Sequence, residues 1–213
     1  IGQFDMLNPN NRHDMDRLED LYLKYTYRNA TLKFGKQHIR TPFINPQDGR
    51  MRPTLVEGAL LELNELKNTK IEAGWLFGIS PRGTVSWFGV GESIGIFSTG
   101  INPDGTKSGY AGKVHSNAVY FGGITRTFGQ GLKIQLWNQH IDNVLNSSLA
   151  QLNHDIKVSQ NHKLVYGLQY IEQHAVNRGG NNNQQQTYVP ANHTARTFGA
   201  RLGFAKNNHW QVQ

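Results

Sequence analysis

The side chains able to do chemistry in this sequence are mostly cations set at alternate positions. Lys24, Lys33, Lys133, Lys157 and Arg201 each have a polar, small or tyrosine residue two positions away, and mostly apolar residues between. Arg28 and Lys163 repeat the pattern close to turns, and Glu62, Glu72 and Asp155 share the same alternate positions. On a strand, such spacing collects the charges on one face. A row of cations there lowers the entry barrier for an anion, and an arginine fork fits a carboxylate well. The other role open to them is to keep that face wet while paired with the three carboxylates. A second cationic cluster, Arg40, Arg50 and Arg52, lies within 40–54. Either it stands at the narrowest point of a passage, or Arg50 pairs with Asp48 and Glu57 holds a backbone or basic partner, so that the segment is anchored to a wall.

Catalytic and metal chemistry find little support. None of the histidines shows His-Glu-x-x-His spacing or a close pair on one strand face with a carboxylate. His154, His162, His174 and His209 read as interfacial or loop residues. No Gly-x-Ser-x-Gly elbow occurs, and the chain has no cysteine. The expectation is a non-enzymatic protein with no metal and no cofactor. The net charge of +7 favours anionic partners, among which composition alone does not choose.

The elements that must carry these residues are strands. In 21–28, Leu21, Leu23, Tyr25 and Tyr27 alternate with Tyr22, Lys24, Thr26 and Arg28. In 70–79, Ile71, Ala73, Trp75, Phe77 and Ile79 oppose Glu72, Gly74, Leu76 and Gly78. Similar alternation fills 31–39, 55–66, 118–128, 132–141, 149–158, 163–176 and 195–205, with a last strand beginning after 206–209. A helix over 14–24 also satisfies Met15, Leu18 and Leu21, but the alternation through Tyr27 favours a strand.

The connections are short at 29–30, 67–69, 129–131, 159–162 and 206–209. They are longer at 40–54, 80–117 and 177–194, with a brief one near 142–148. Short periplasmic turns alternating with longer extracellular loops describe an antiparallel up-and-down transmembrane β-barrel. No apolar run is long enough for a transmembrane helix, whereas alternating strands average to neutral hydropathy. A soluble sandwich or lipocalin-like binding barrel also alternates. Against it stand the aromatics near strand ends and an opposite face too charged and Gly-rich to form a dry core. The 213 residues are expected to form a single barrel domain, 1–213, open at both ends as a fragment.

The segment 41–58, Thr-Pro-Phe-Ile-Asn-Pro-Gln-Asp-Gly-Arg-Met-Arg-Pro-Thr-Leu-Val-Glu-Gly, follows Leu32-Lys33-Phe34-Gly35-Lys36-Gln37. It resembles the OprD family of substrate-specific outer-membrane porins, with a Gly-basic-Gln step, a loop of the form Asp-x-Arg-x-x-Pro, and then Glu-Gly. The likeness is strongest over 21–79; Lys33 and Lys36 stand where that family would place arginines. It implies a barrel of about 18 strands, of which this chain supplies roughly half, about 9–10 strands. It also implies inward-folded loops and a ladder of basic residues guiding amino acids, peptides or similar carboxylate-bearing solutes. Membrane lipid, lipopolysaccharide and small anionic or zwitterionic solutes are then the expected partners, other outer-membrane proteins are further candidates, and nucleic acid is not one. The competing role is a barrel that serves as a structural subunit of an outer-membrane assembly.

Overall fold

The computed structural model describes residues 10, 16–46, 52–98, 100–102, 104–129 and 131–206, and the backbone of 210–212. Among them, one antiparallel sheet contains β1 (Leu21–Tyr27), β2 (Ala30–Gln37), β3 (Leu55–Leu63), β4 (Thr69–Ser80), β5 (Phe88–Gly89), β6 (Val119–Phe128), β7 (Leu132–Ile141), β8 (Leu145–Lys157), β9 (His162–Ala175), β10 (Thr194–Lys206) and β11 (Trp210–Val212). Neighbours in the sheet are neighbours in sequence, except that β4 pairs with β6 and the short β5 hangs on β4. The path runs from β1 to β11 without closing. A single short helix, α1 (Val90–Gly95), lies in the connection between β5 and β6.

The strand expectations hold with small shifts of boundary. β8 begins at Leu145, so the connection before it is only 142–144. The segment read as one loop over 80–117 carries β5 and α1. Residues 16–20 are extended coil leading into β1, so no helix forms there.

Register sorts the side chains into two faces, because directly paired residues share a face. Leu23 pairs with Phe34, Tyr25 with Leu32, Ile71 with Ile124, Trp75 with Tyr120, Leu152 with Leu168 and Phe198 with Tyr170. This face is apolar and open: Leu23 is 78% exposed, Phe198 69% and Leu202 68%. A soluble protein does not leave so continuous an apolar surface to water, so it faces hydrocarbon.

The opposite face is not wet throughout, which corrects the expectation drawn from its charges and glycines. Toward the long connections, Val56, Leu76, Val119, Phe121, Trp137 and Leu149 form a buried cluster. Ile39, Phe43 and Ile44 from the β2–β3 connection pack against it, and Val90 of α1 belongs to it. The glycines make room for its rings. Gly74 pairs with Phe121 and Gly123 with Trp137, and a β-carbon at either glycine would meet the partner ring at 2.3 Å. Each aromatic therefore lies flat across the backbone of its neighbour, covering surface the missing side chain leaves bare. Connections fold over this face, which makes it the inner one.

The two faces can be tested on adjacent residues. Leu136→Arg puts a cation on the hydrocarbon side and is expected to cost about 2–4 kcal/mol near the midplane. Gln135→Arg, one residue away on the inner face, should leave urea unfolding in lipid almost unchanged. Equal losses would refute the assignment.

Candidate functional site

Below the apolar cluster, toward the short turns, the inner face becomes polar and cationic. Lys24 pairs directly with Lys33 across β1–β2, and Lys157 with Lys163 across β8–β9. Lys133 and Arg201 flank one continuous row, Lys133–Asn153–Gly167–Arg201, spanning β7 to β10. Thus Lys24, Lys33, Lys133, Lys157 and Arg201 share one face, as their spacing suggests. A hollow of about 220 Å³ is lined by Lys24, Lys33, Glu62, Glu72, Thr41 and Phe121 among others.

The carboxylates are unevenly shared. Glu62 and Glu72 stand directly opposite one another on β3 and β4, and Lys70 bridges them at 2.8 and 2.9 Å. Lys163 reaches Asp155 at 3.4 Å. None of the ion pairs among the described residues involves Lys24, Lys33, Lys133, Lys157 or Arg201. The Lys33 ammonium instead lies 4.9 Å from the centre of the Tyr22 ring, a cation–π contact.

Of the second cationic cluster, Arg40 and Arg52 are among the described residues. Arg50 and Asp48 lie outside the described residues. Arg40 is exposed in the β2–β3 connection. Arg52 is buried, at 5% exposure, and its carbonyl accepts the Gly83 N–H at 3.0 Å. Glu57 lies within β3 rather than in the loop and pairs with Lys36, whose ammonium also sits 3.8 Å from the Trp87 ring centre.

Two residues escaped the sequence reading. Lys70 shares the parity of Glu72, and counting back one step would have put it on the inner face. Arg17 gave no signal, since it stands in a non-periodic segment before β1. Its side chain is almost wholly buried and ties three segments together. It donates to Ser80 Oγ at 3.1 Å, the Thr84 carbonyl at 3.2 Å, the Pro53 carbonyl at 2.9 Å and Glu19 at 2.7 Å. The connections that fold over the inner face are thereby clamped at their roots.

Comparison with known proteins decides the family. The sequence matches the family described as outer membrane porin, OprD family, over residues 8–209. The chain belongs to the OprD family. Its place is therefore the outer membrane, as the open apolar face requires. No curated protein matches the chain in sequence. Among solved structures it is similar to Pseudomonas aeruginosa OccK2 (OpdF) in complex with glucuronate, at 20% identity and a TM-score of 0.64, covering 86% of this chain and 43% of that one. It is likewise similar to P. aeruginosa OccK8 (OprE), at 17% identity and a TM-score of 0.68, over 86% and 46% of the two chains. Acinetobacter baumannii OccAB3 matches at 12% identity and a TM-score of 0.67, over 87% and 41%. The chain thus spans less than half the length of these relatives, and at such identities the likeness is one of fold.

Removing the clamp should be costly. Arg17→Ala deletes charge-assisted hydrogen bonds worth about 1.5–3 kcal/mol each in favourable cases. The expected outcome is a lower urea midpoint, with faster proteolysis within 80–118. Wild-type proteolysis rates would show that Arg17 does not hold these connections.

Proposed function

We propose that this OprD-family protein is a passive diffusion channel for small anionic or zwitterionic solutes, closed by further strands beyond β1 and β11. Lipid and lipopolysaccharide surround its outer face. The reading is supported most by the cations gathered on the inner face, above all Lys24 paired directly with Lys33, with Lys157 opposite Lys163 as a second such pair that Asp155 offsets in part. Like charges directly opposite on one sheet face lower stability. Their presence on the inner face, where Glu62 and Glu72 share Lys70 as their ion-pair partner, favours a field that attracts anions.

Diffusion needs a water-filled bore, fixed charges near the narrows and binding weak enough to permit release. The connections packed on the apolar cluster narrow one side of the bore. The cations below them offer a carboxylate successive, exchangeable partners. OccK2 was solved with glucuronate, a carboxylate, which fits the same reading. Arg52, which is buried, is left out of this proposed path.

Neutralising one lysine pair separates function from stability. Lys24→Gln with Lys33→Gln should shift the zero-current potential of single channels toward cation preference. The same change should raise the unfolding free energy by about 0.2–1 kcal/mol, read as a higher urea midpoint, as a like-charge pair is relieved. An unchanged zero-current potential would remove this pair from the pathway.

A further inference from the structure

The outer face carries its charges unequally from one end to the other. Among the described strand residues, the outward carboxylates are Glu57 and Glu172, both toward the long connections. Each has a basic partner on the same face: Glu57 pairs with Lys36, which stands opposite Leu21, and Glu172 accepts from Arg196 Nε at 2.7 Å. The other end differs. From the row of Ile71, Ile124 and Leu136 down to the short turns, the described outer face of the strands has no Asp or Glu. It does have bases, Arg126 and Lys206 among them.

Arg126 stands within this stretch, on β6, paired with Thr69 on one side and Ile134 on the other. Ile124 and Phe128 precede and follow it on the same face. Among the described residues its guanidinium enters no ion pair and no hydrogen bond. It lies instead 4.9 Å from the centre of the Phe128 ring, so the side chain bends toward the turn at 129–131. A long cationic side chain leaves hydrocarbon in this way, and the cost of an outward arginine falls steeply toward the interface. The β1–β2 turn repeats the arrangement, with Arg28 over the outward Tyr27 ring at 5.3 Å. Glu65, in the next turn, accepts the Asn29 N–H at 3.3 Å.

We infer that Arg126 over Phe128 is a headgroup site for an anionic phospholipid of the periplasmic leaflet. Short turns put this rim on the periplasmic side. The guanidinium fork suits two phosphate oxygens, and the ring beneath holds its plane. Protein carboxylates already occupy Lys36 and Arg196 at the opposite rim, whereas at Arg126 the counter-charge has to come from the lipid. The site rests on lipid surrounding the outer face and is independent of what passes inside.

Native mass spectrometry of the whole protein, folded in detergent, tests it with phosphatidylglycerol and zwitterionic phosphatidylcholine as competing probes. The wild type should retain phosphatidylglycerol preferentially. Arg126→Gln should reduce that preference by about fivefold, the gain of one basic side chain at an anionic membrane surface. Phe128→Leu, which keeps an apolar residue but removes the ring, should reduce it by less. Arg196→Gln, at the other rim, should leave it unchanged. Heat-modifiable migration on gels verifies that each variant has folded. A preference that is absent in the wild type, that survives Arg126→Gln, or that falls equally in Arg196→Gln overturns the site. A larger Arg126-dependent gain with lipopolysaccharide than with phosphatidylglycerol assigns the rim to the opposite leaflet and overturns it too. Wild-type protein that shows no heat-modifiable form overturns the lipid-facing sheet itself, a different failure.

Discussion

Inside a bilayer no water is available to an unpaired backbone N–H or carbonyl, so a sheet there must keep its hydrogen-bond ladder unbroken. Everything else in this chain follows from that ladder. It fixes which residues stand opposite one another, and pairing with a period of two then decides which side chains meet lipid. A slip by one residue between β1 and β2 would send Lys24 into hydrocarbon and bring Leu23 inward. Register is thus what assembles the cationic face, since Lys133 and Arg201 share a row only through β8 and β9.

The inner face solves two problems in two zones. Connections that fold over the inner face must be held, and water alone does not hold them. The apolar zone provides the grip: Phe43, Ile44 and Val90 have a surface to dry, and the rings of Phe121 and Trp137 lie over glycines so that this surface stays low and even. Arg17 supplies the polar counterpart at the root of the same connections. The polar zone stays open because glycines there leave hollows instead of receiving rings. The same residue type serves opposite ends, and the neighbour across the strand pair decides which.

The outer face was legible from sequence because hydrocarbon imposes an unbroken apolar period, as at Ile71, Ala73 and Trp75. The inner zones were not. In 119–124 both faces are apolar or glycine, so periodicity does not distinguish a residue under a connection from one in lipid. The cluster that takes in Trp137 also takes in Val90 and receives Phe43, both far away in sequence. The motif around Arg50 and Arg52 pointed to the family, yet a motif does not reveal burial, and Arg52 is buried. The parity of Lys24, Lys33, Lys133, Lys157 and Arg201 was readable because each lies in a strand whose apolar face is unambiguous. Arg17 lacked that context.

The distribution of charge along the sheet also carries a physical argument about selection. On β3 and β4 two opposed carboxylates share one cation, Lys70, which lies between them at ion-pair distance. The same solution was open to the opposed lysines of β1 and β2, yet Glu62, which lines the same hollow, turns to Lys70 instead. Stability alone would favour a partner for Lys24 and Lys33, because each unneutralised like pair works against folding. Local rules of this kind are broken where function requires it, and here the break falls on the face shielded from lipid, where the like charges of Lys24 and Lys33 meet no lipid tail.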